Sequence, residues 1–199
     1  MSKYHLLKNE GIMAVKLARQ TIEAMLNNET PKRMENLPLN FQEERGVFVT
    51  LTLDGELRGC IGYPYPIMSF EKAVMKAAIS AAFEDPRFFP VEKKDFKKMI
   101  VEVTALTIPE ELEPPFMSYA NQIQIGKHGL MVEYQENRGL LLPQVATEHG
   151  FDPVEFLCQT CIKAELIPMA WKYGAKVYRI EGQIFHEVEP EGEIVEEKL

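Results

Sequence analysis

Cysteine and positive charge are both scarce in this sequence, and their scarcity argues against several classes of protein. The 199 residues include three cysteines, and acidic residues outnumber basic ones, which gives a formal net charge of -8. A nucleic-acid-binding domain needs a concentrated basic face to neutralise phosphates, so no nucleic-acid partner is expected. Three cysteines, an odd number, do not make a complete disulfide framework and are expected to be reduced thiols.

Long apolar runs are absent as well. No stretch approaches the roughly 20 apolar residues that a membrane-spanning helix needs, and the N-terminus lacks the basic and apolar regions of a signal peptide. We therefore expect a cytoplasmic protein without a membrane partner. Hydrophobic residues still make up 46% of the chain, which is enough to form a sizeable core.

Signatures of the common cofactor sites are also missing. Gly59 and Gly62 do not open a helix, as phosphate-binding loops and dinucleotide fingerprints require. Cys158 and Cys161 form a single C-x-x-C, typical of a redox pair or half of a zinc site, and neither His149 nor His186 has a compelling ligand spacing. They lie too far along their predicted helix for its dipole to activate them, so core packing is favoured. No cofactor and no metal are predicted.

Periodicity predicts the elements of the first half of the chain. Apolar residues at three- and four-residue steps predict a helix from about Asn9 to Asn27, and alternation predicts a strand over 46–53. Asp54 and Gly55 are typical of a two-residue hairpin turn into a second strand. A helix capped by Ser69 and a strand over 99–107 follow.

The second half repeats this plan. A hairpin is predicted from strands at 129–134 and 140–142, a helix begins with a capping box at Asp152, and a last strand runs over 176–186. The repeated order of hairpin, helix and strand suggests an internal duplication. The sequence thus predicts an α+β fold on antiparallel sheet, with two unequal subdomains (about 9–115 and 116–186) and an acidic, solvated tail at 187–199.

The most specific stretch is the hexapeptide Leu57–Gly62, which reads Leu-Arg-Gly-Cys-Ile-Gly. With a two-residue turn, the antiparallel register pairs Leu51 with Arg58 and Val49 with Cys60. Arg58 and Cys60 are then expected to share the apolar face of the hairpin, with the Ser69 helix as its cover. Gly59 and Gly62 inside a strand indicate a bulge, or the close approach of a ligand or another backbone.

Two side chains of the hexapeptide are the leading candidates for function. Arg58 could anchor a carboxylate or phosphate in a bidentate contact, or it could form a structural ion pair with Asp85 or Glu102. Cys60 could be a nucleophile, because a nearby cation activates a thiolate, or it could pack as a small hydrophobe. Gly59 and Gly62 are the candidates for close contact with the ligand.

Three further candidates lie in the second half. His128, in a turn before a strand, could serve as a catalytic base, or it could simply hydrogen-bond its own turn. Gln144 and Lys163 could line a polar, ligand-binding cleft; the alternative for Lys163 is a solvated surface position. These residues lie far apart along the chain, and the sequence does not predict whether they are close to one another in the fold.

The hexapeptide carries a resemblance to a known family. Together with 85–88, 102–104, 128–130, 140–146 and the helix around Thr160, it resembles the AMMECR domain family, named after the Alport-syndrome chromosomal region. The similarity runs from about Gly11 to His186, and the hexapeptide matches the family signature throughout. The resemblance implies an α+β protein of two unequal subdomains, and it supplies no reaction, cofactor or catalytic residue. Related proteins resemble parts of three-component systems with a Memo-type protein and a radical-SAM protein.

Two functional hypotheses follow. In the first, the chain binds a small anionic ligand or a protein partner through a cleft around Leu57–Gly62. In the second, it is a thiol-dependent enzyme or enzyme subunit, in a pathway with Memo-type and radical-SAM proteins, using Cys60 as nucleophile, Arg58 as anion anchor and His128 as acid or base. Binding is favoured because the sequence fixes no arrangement of acid, base and nucleophile. The sequence makes no prediction of the oligomeric state.

Overall fold

Two units make up the fold, and the chain leaves the first unit once before it returns to it. The computed structural model describes residues 5–197. The first unit contains the chain up to Thr107 and again from Gln183 onward, and the second unit is Ile108–Gly182. The subdomain boundary expected near residue 115 therefore falls inside the second unit.

The described residues alternate helices and strands in an α+β order, as predicted. In chain order the elements are α1 (Lys8–Leu26), β1 (Val47–Leu53), β2 (Glu56–Tyr63), α2 (Phe70–Phe83), α3 (Lys93–Phe96), β3 (Met99–Leu106), β4 (Glu110–Glu111), β5 (Gly129–Tyr134), β6 (Asn137–Leu141), α4 (Pro143–His149), α5 (Pro153–Lys163), β7 (Lys176–Ile180), β8 (Gly182–Glu187) and β9 (Ile194–Glu197). Short 3-10 helices lie at Leu39–Gln42, Phe116–Gln122 and Ala170–Lys172.

The first unit is a five-stranded sheet in the order β2-β1-β3-β8-β9, with α1 and α2 packed on one face. Alternate residues of β1 and β3, such as Val49 and Val103, are fully buried against the helices. The small residues Ala77, Ala78 and Ala81 let α2 lie close to the hairpin, because each side chain adds little bulk. This confirms the predicted helix cover of the hairpin.

The second unit is a four-stranded sheet in the order β4-β7-β5-β6, with α5 packed on β5 and β6. Asp152 begins α5 with the predicted capping box, since its side chain accepts from the N–H groups of Val154 and Glu155. Cys161 is fully buried in this core, and Cys158 Sγ lies 3.7 Å from Met169 Sδ. Both cysteines therefore pack in or against the hydrophobic core of the second unit, in line with the favoured sequence interpretation.

Two predictions about the later strands are corrected. The single strand predicted over 176–186 is two strands in different sheets, because β7 ends at Ile180 and β8 begins at Gly182. The return strand predicted at 140–142 is β6, Asn137–Leu141. The internal duplication is not confirmed, because the two sheets differ in strand number and order.

The acidic run from Glu187 differs from the solvated tail that composition suggested. Glu187 is only 2% exposed, and β9 pairs with β8 in antiparallel register. Ile194, at the start of β9, is packed into the core of the first unit. The acidic run is thus partly an edge strand of the sheet, and the part of the expected tail at Lys198 and Leu199 lies outside the described residues.

Between residues 5 and 197, no helix combines the length and the apolar character required to cross a membrane.

Candidate functional site

The signature hexapeptide lies in β2, the strand at one end of the five-stranded sheet. Leu53 pairs with Glu56, as the two-residue turn predicts, but a bulge follows, so that Leu51 pairs with Gly59 and Thr50 with Cys60. Arg58 is the extra residue in the bulge. The expected pairings of Leu51 with Arg58 and of Val49 with Cys60 are therefore wrong. The expectation that Arg58 and Cys60 share the apolar face of the hairpin is wrong as well.

The bulge shifts the register by one residue, so Gly59 lies on the face that α2 covers and Cys60 lies on the opposite face. Gly59 faces α2, where a Cβ atom would collide with the backbone carbonyl of Ala81. Cys60 lies instead beside Thr50, whose Oγ1 is 3.5 Å from Cys60 Sγ. The close approach that the sequence predicted at Gly59 is therefore made by a helix backbone. At Gly62 the neighbour is the Phe48 ring.

The backbone of Cys60 is held from outside the sheet by two charged side chains. The Cys60 N–H donates to Asp85 Oδ2 at 2.9 Å, and Arg87 Nη2 donates to the Cys60 carbonyl oxygen at 2.9 Å. Unpaired N–H and C=O groups of a terminal strand need such partners or water. Asp85 and Arg87 thus take the place of a neighbouring strand at this residue.

Asp85 and Arg87 also bind each other in a bidentate ion pair. Arg87 Nε donates to Asp85 Oδ1 at 2.9 Å, and Arg87 Nη2 donates to Oδ2 at 2.7 Å. The hydrogen bond from Arg87 holds the pKa of the Asp85 carboxyl well below its usual range, although burial opposes the shift. The pKa of Arg87 is raised chiefly by Asp85, with a smaller contribution from the Cys60 side chain.

This ion pair is expected to stabilise the fold less in acid. Because the folded pKa of Asp85 is lowered, its stabilisation is present above the ordinary aspartate pKa of about 4 and is lost as the pH falls below it. At pH 7, Asp85→Asn should lower the free energy of unfolding by about 1–3 kcal/mol. Urea unfolding at pH 7 and pH 3 should show the gap between wild type and variant narrowing in acid; a constant gap would contradict the assignment.

Arg58 has no comparable partner. Its Nη1 atom is buried without a hydrogen bond in the described part of the chain, and Nη2 reaches only the Pro90 carbonyl oxygen, at 3.4 Å. Between residues 5 and 197, no carboxylate forms an ion pair with it, so the ion pair considered with Asp85 or Glu102 is not formed. Its guanidinium carbon lies 5.8 Å from the centroid of the Phe88 ring.

The ring of Phe88 is shared by two guanidinium groups. Arg87 lies 5.5 Å from its centroid, a distance similar to that of Arg58. Such contacts between cations and an aromatic face restrict the orientation of the guanidinium and are favourable. Arg87 is neutralised by direct contact with Asp85. Arg58 is attracted by Glu92 without forming an ion pair, since the pKa of Glu92 is lowered chiefly by Lys94 and to a smaller extent by Arg58.

A row of polar side chains continues across the sheet from Cys60. Thr50 pairs with Glu102 in the register of β1 and β3. Burial raises the pKa of Glu102, its hydrogen bond with Thr50 lowers it, and the nearby Glu197 adds to the rise. Sequence reasoning gave Thr50 no role and weighed Glu102 only as an ion-pair partner, because the pairing of strands that aligns this row is not a local signal.

The remaining predicted residues lie in the second unit. His128 Nδ1 accepts the backbone N–H of Gln124 at 3.0 Å, and its Nε2 lies 3.6 Å from Glu181 Oε1. Burial lowers its pKa, against the effect of Glu181. These contacts match the structural alternative, in which the histidine holds its own turn. Gln144 in α4 and Lys163 at the end of α5 are exposed.

These observations define a class of α+β protein. In it, an Asp-Arg ion pair holds a bulged edge strand that contains glycine. The AMMECR1 family model matches residues 15–185. A protein of Methanosarcina acetivorans is 53% identical over 198 residues, which cover 98% of this chain and 100% of the relative. Protein MJ0810 of Methanocaldococcus jannaschii is 48% identical, with 96% of each chain covered. This chain therefore belongs to the AMMECR1 family.

A solved structure is similar over the whole length. The crystal structure of uncharacterized protein PH0010 from Pyrococcus horikoshii matches with a TM-score of 0.77 and 41% sequence identity. The alignment covers 98% of this chain and 99% of that one. The α+β architecture is thus shared with this relative.

Proposed function

We propose that this protein binds a small anionic ligand, a carboxylate or a phosphate, through Arg58 in the bulge of β2. The observation that carries the proposal is the buried Arg58 Nη1 atom without a hydrogen-bond partner in the described residues. A buried donor that is left unpaired costs free energy, and buried polar groups in folded proteins are normally satisfied. An anion bound at this guanidinium would supply the missing acceptor.

The chemistry of arginine favours an anion with two acceptor oxygens. A guanidinium presents its N–H groups in a planar fork that matches a carboxylate or phosphate. The orientation of Arg58 is restricted by Phe88 and by the Pro90 carbonyl oxygen. A cation that is held in place before binding loses less conformational entropy when the ligand arrives.

A protein partner could use the same contact. A partner that presents a side-chain carboxylate or a C-terminus would offer Arg58 the same two oxygens as a small ligand. Related proteins resemble parts of three-component systems with a Memo-type protein and a radical-SAM protein, so a protein partner is to be tested alongside small anions.

Thiol chemistry at Cys60 is the second candidate. The Thr50 hydroxyl lies 3.5 Å from Cys60 Sγ, and the Cys60 side chain contributes to the raised pKa of Arg87. A hydroxyl and a cation beside a cysteine are common neighbours of catalytic thiols. In that case Arg58 would hold the anionic part of a substrate.

Anion binding is tested by calorimetric titration with inorganic phosphate and with citrate. Arg58→Ala should weaken the binding about tenfold to a hundredfold, which corresponds to the loss of charge-assisted hydrogen bonds. Arg58→Lys should recover only part of it, because the ammonium lacks the planar fork. Arg33→Ala is the matched control, since the Arg33 side chain is 67% exposed and its removal should leave binding unchanged.

The Cys60→Ser variant distinguishes anion binding at Arg58 from thiol chemistry at Cys60. Anion binding should survive this change, because the serine keeps the backbone groups that Asp85 and Arg87 hold. Wild-type affinity in Arg58→Ala would remove the proposal. Loss of binding in Cys60→Ser, with a normal unfolding temperature, would favour the thiol candidate instead.

A further inference from the structure

Three side chains from three strands bring potential metal ligands together in the first unit. Glu102 of β3, His186 of β8 and Glu197 of β9 each offer one ligand atom, and these atoms all lie within 4.8 Å of one another. We propose that they form a binding site for a divalent transition-metal ion. This site is distinct from the Arg58 contact, and the proposal does not depend on anion binding.

The sheet explains why these residues meet. His186 pairs with Val195, and Ile184 pairs with Glu197, so Glu197 is a diagonal neighbour of His186. Residues two apart along a strand share a face, and diagonal neighbours are within reach of long side chains. Because β3, β8 and β9 are consecutive in the sheet, their backbones hold the three ligands in fixed positions. A site on strands is more rigid than a site on loops.

The histidine supplies an independent reason to expect a ligand. His186 Nδ1 is buried, and within residues 5–197 it has no hydrogen-bond partner. A ring nitrogen that is removed from water without a partner costs free energy, and the same nitrogen, when unprotonated, is a common metal ligand. A metal ion bound through Nδ1 would satisfy it. The two carboxylates favour the same ion, because their mutual repulsion is relieved by a positive charge between them.

The donor set narrows the choice of ion. One imidazole nitrogen and two carboxylate oxygens suit Zn²⁺, Fe²⁺ or Mn²⁺, whereas Ca²⁺ and Mg²⁺ prefer oxygen alone. Three protein ligands leave at least one coordination position for water or a substrate atom, as in catalytic rather than structural zinc sites. Thr50 pairs with Glu102 in the sheet, so its hydroxyl is placed beside this ligand and would help to orient it.

Zinc titration tests the site directly. The full-length protein is treated with a chelator, dialysed, and titrated with Zn²⁺ in a calorimeter. Wild type should bind one ion, and His186→Ala and Glu102→Gln should each weaken binding at least about tenfold, since even outer-shell partners are worth that much. His149→Ala is the matched control, because His149 is exposed in α4 of the second unit.

X-ray absorption at the zinc edge of the loaded wild-type protein supplies a measurement that needs no variant. A first shell of nitrogen and oxygen only is expected, and a sulfur ligand would overturn the proposal by pointing to a cysteine. Variants that keep the metal-free unfolding temperature of wild type and still bind zinc with its affinity would overturn it too. If His186→Ala fails to fold, the near-isosteric Glu102→Gln and the absorption spectrum decide.

Discussion

Replacing Glu187 by alanine is expected to lower the free energy of unfolding by about 3–5 kcal/mol, the usual cost of removing one partner of a buried ion pair. Glu187 accepts hydrogen bonds from Arg19 Nη2 at 2.6 Å and from the Val101 N–H at 2.9 Å. The side chains of Arg19 and Glu187 are 10% and 3% exposed. The variant would leave the Arg19 guanidinium without its counter-charge in the core, where it is poorly solvated.

Thermal and urea unfolding measure this effect. For a chain of this size a loss of that magnitude lowers the unfolding temperature by roughly 10 °C. Glu193→Ala is the control, since Glu193 belongs to the same acidic run and is exposed. The double variant Arg19→Ala/Glu187→Ala should lose less than the two single variants together, because the unpaired charge is gone.

The same measurement decides between two interpretations of the acidic run. If residues from 187 onward were only a solvated tail, Glu187→Ala would cost less than about 1 kcal/mol, the upper range for an exposed ion pair. An effect that small would contradict the buried pair. Composition alone cannot distinguish these cases, because Glu187 and Glu193 have the same chemistry and differ only in what surrounds them.

Local patterns predicted most of the elements correctly. The alternation that identified β1, the small inner face of α2 and the capping box of α5 depend on residues within one or two turns of each other. Such signals can be recognised from neighbouring residues alone. Interactions between distant segments cannot. Glu187 and Arg19 are 168 residues apart, so nothing near Glu187 indicates that it is buried.

The local structure around Arg58 and Cys60 is predicted only in part for the same reason, and their roles in binding or catalysis stay predictions. Arg58 and Cys60 were identified because an arginine and a thiol between glycines are unusual in a strand. Their faces were wrong, since the register depends on the bulge, which the turn residues do not specify. Glu102, His186 and Glu197 come from three strands whose order in the sheet was not predicted, and a ligand set of that kind has no characteristic spacing.

The second large effect is expected at Gly59, where the bulge meets α2. Gly59→Ala should lower the free energy of unfolding by about 3 kcal/mol, at the upper end of the usual cost of overpacking. The added Cβ would collide with the carbonyl oxygen of Ala81, which is backbone in the last turn of a packed helix. Either β2 or α2 must move to make room, because no side-chain rotation relieves the contact.

Gly62→Ala is the comparison that isolates this cause. It adds the same methyl group to the same strand, but its Cβ would meet the half-buried Phe48 side chain, which can rotate away. Urea unfolding should therefore show a larger loss for Gly59→Ala than for Gly62→Ala. Equal losses in the free energy of unfolding would mean that the flexibility of glycine, rather than close contact with α2, explains why residue 59 is a glycine.

The two variants should also differ in ligand binding. Gly59 separates Arg58 from Cys60, so a displaced strand would move the guanidinium relative to Phe88 and weaken the contacts of Cys60 with Asp85 and Arg87. Gly59→Ala should thus weaken phosphate binding under conditions in which it is still folded, and Gly62→Ala should bind more nearly like wild type. Phosphate binding could instead be unchanged in a destabilised Gly59→Ala variant. That result would show that the bulge serves helix packing alone, and that the position of Arg58 does not depend on the bulge.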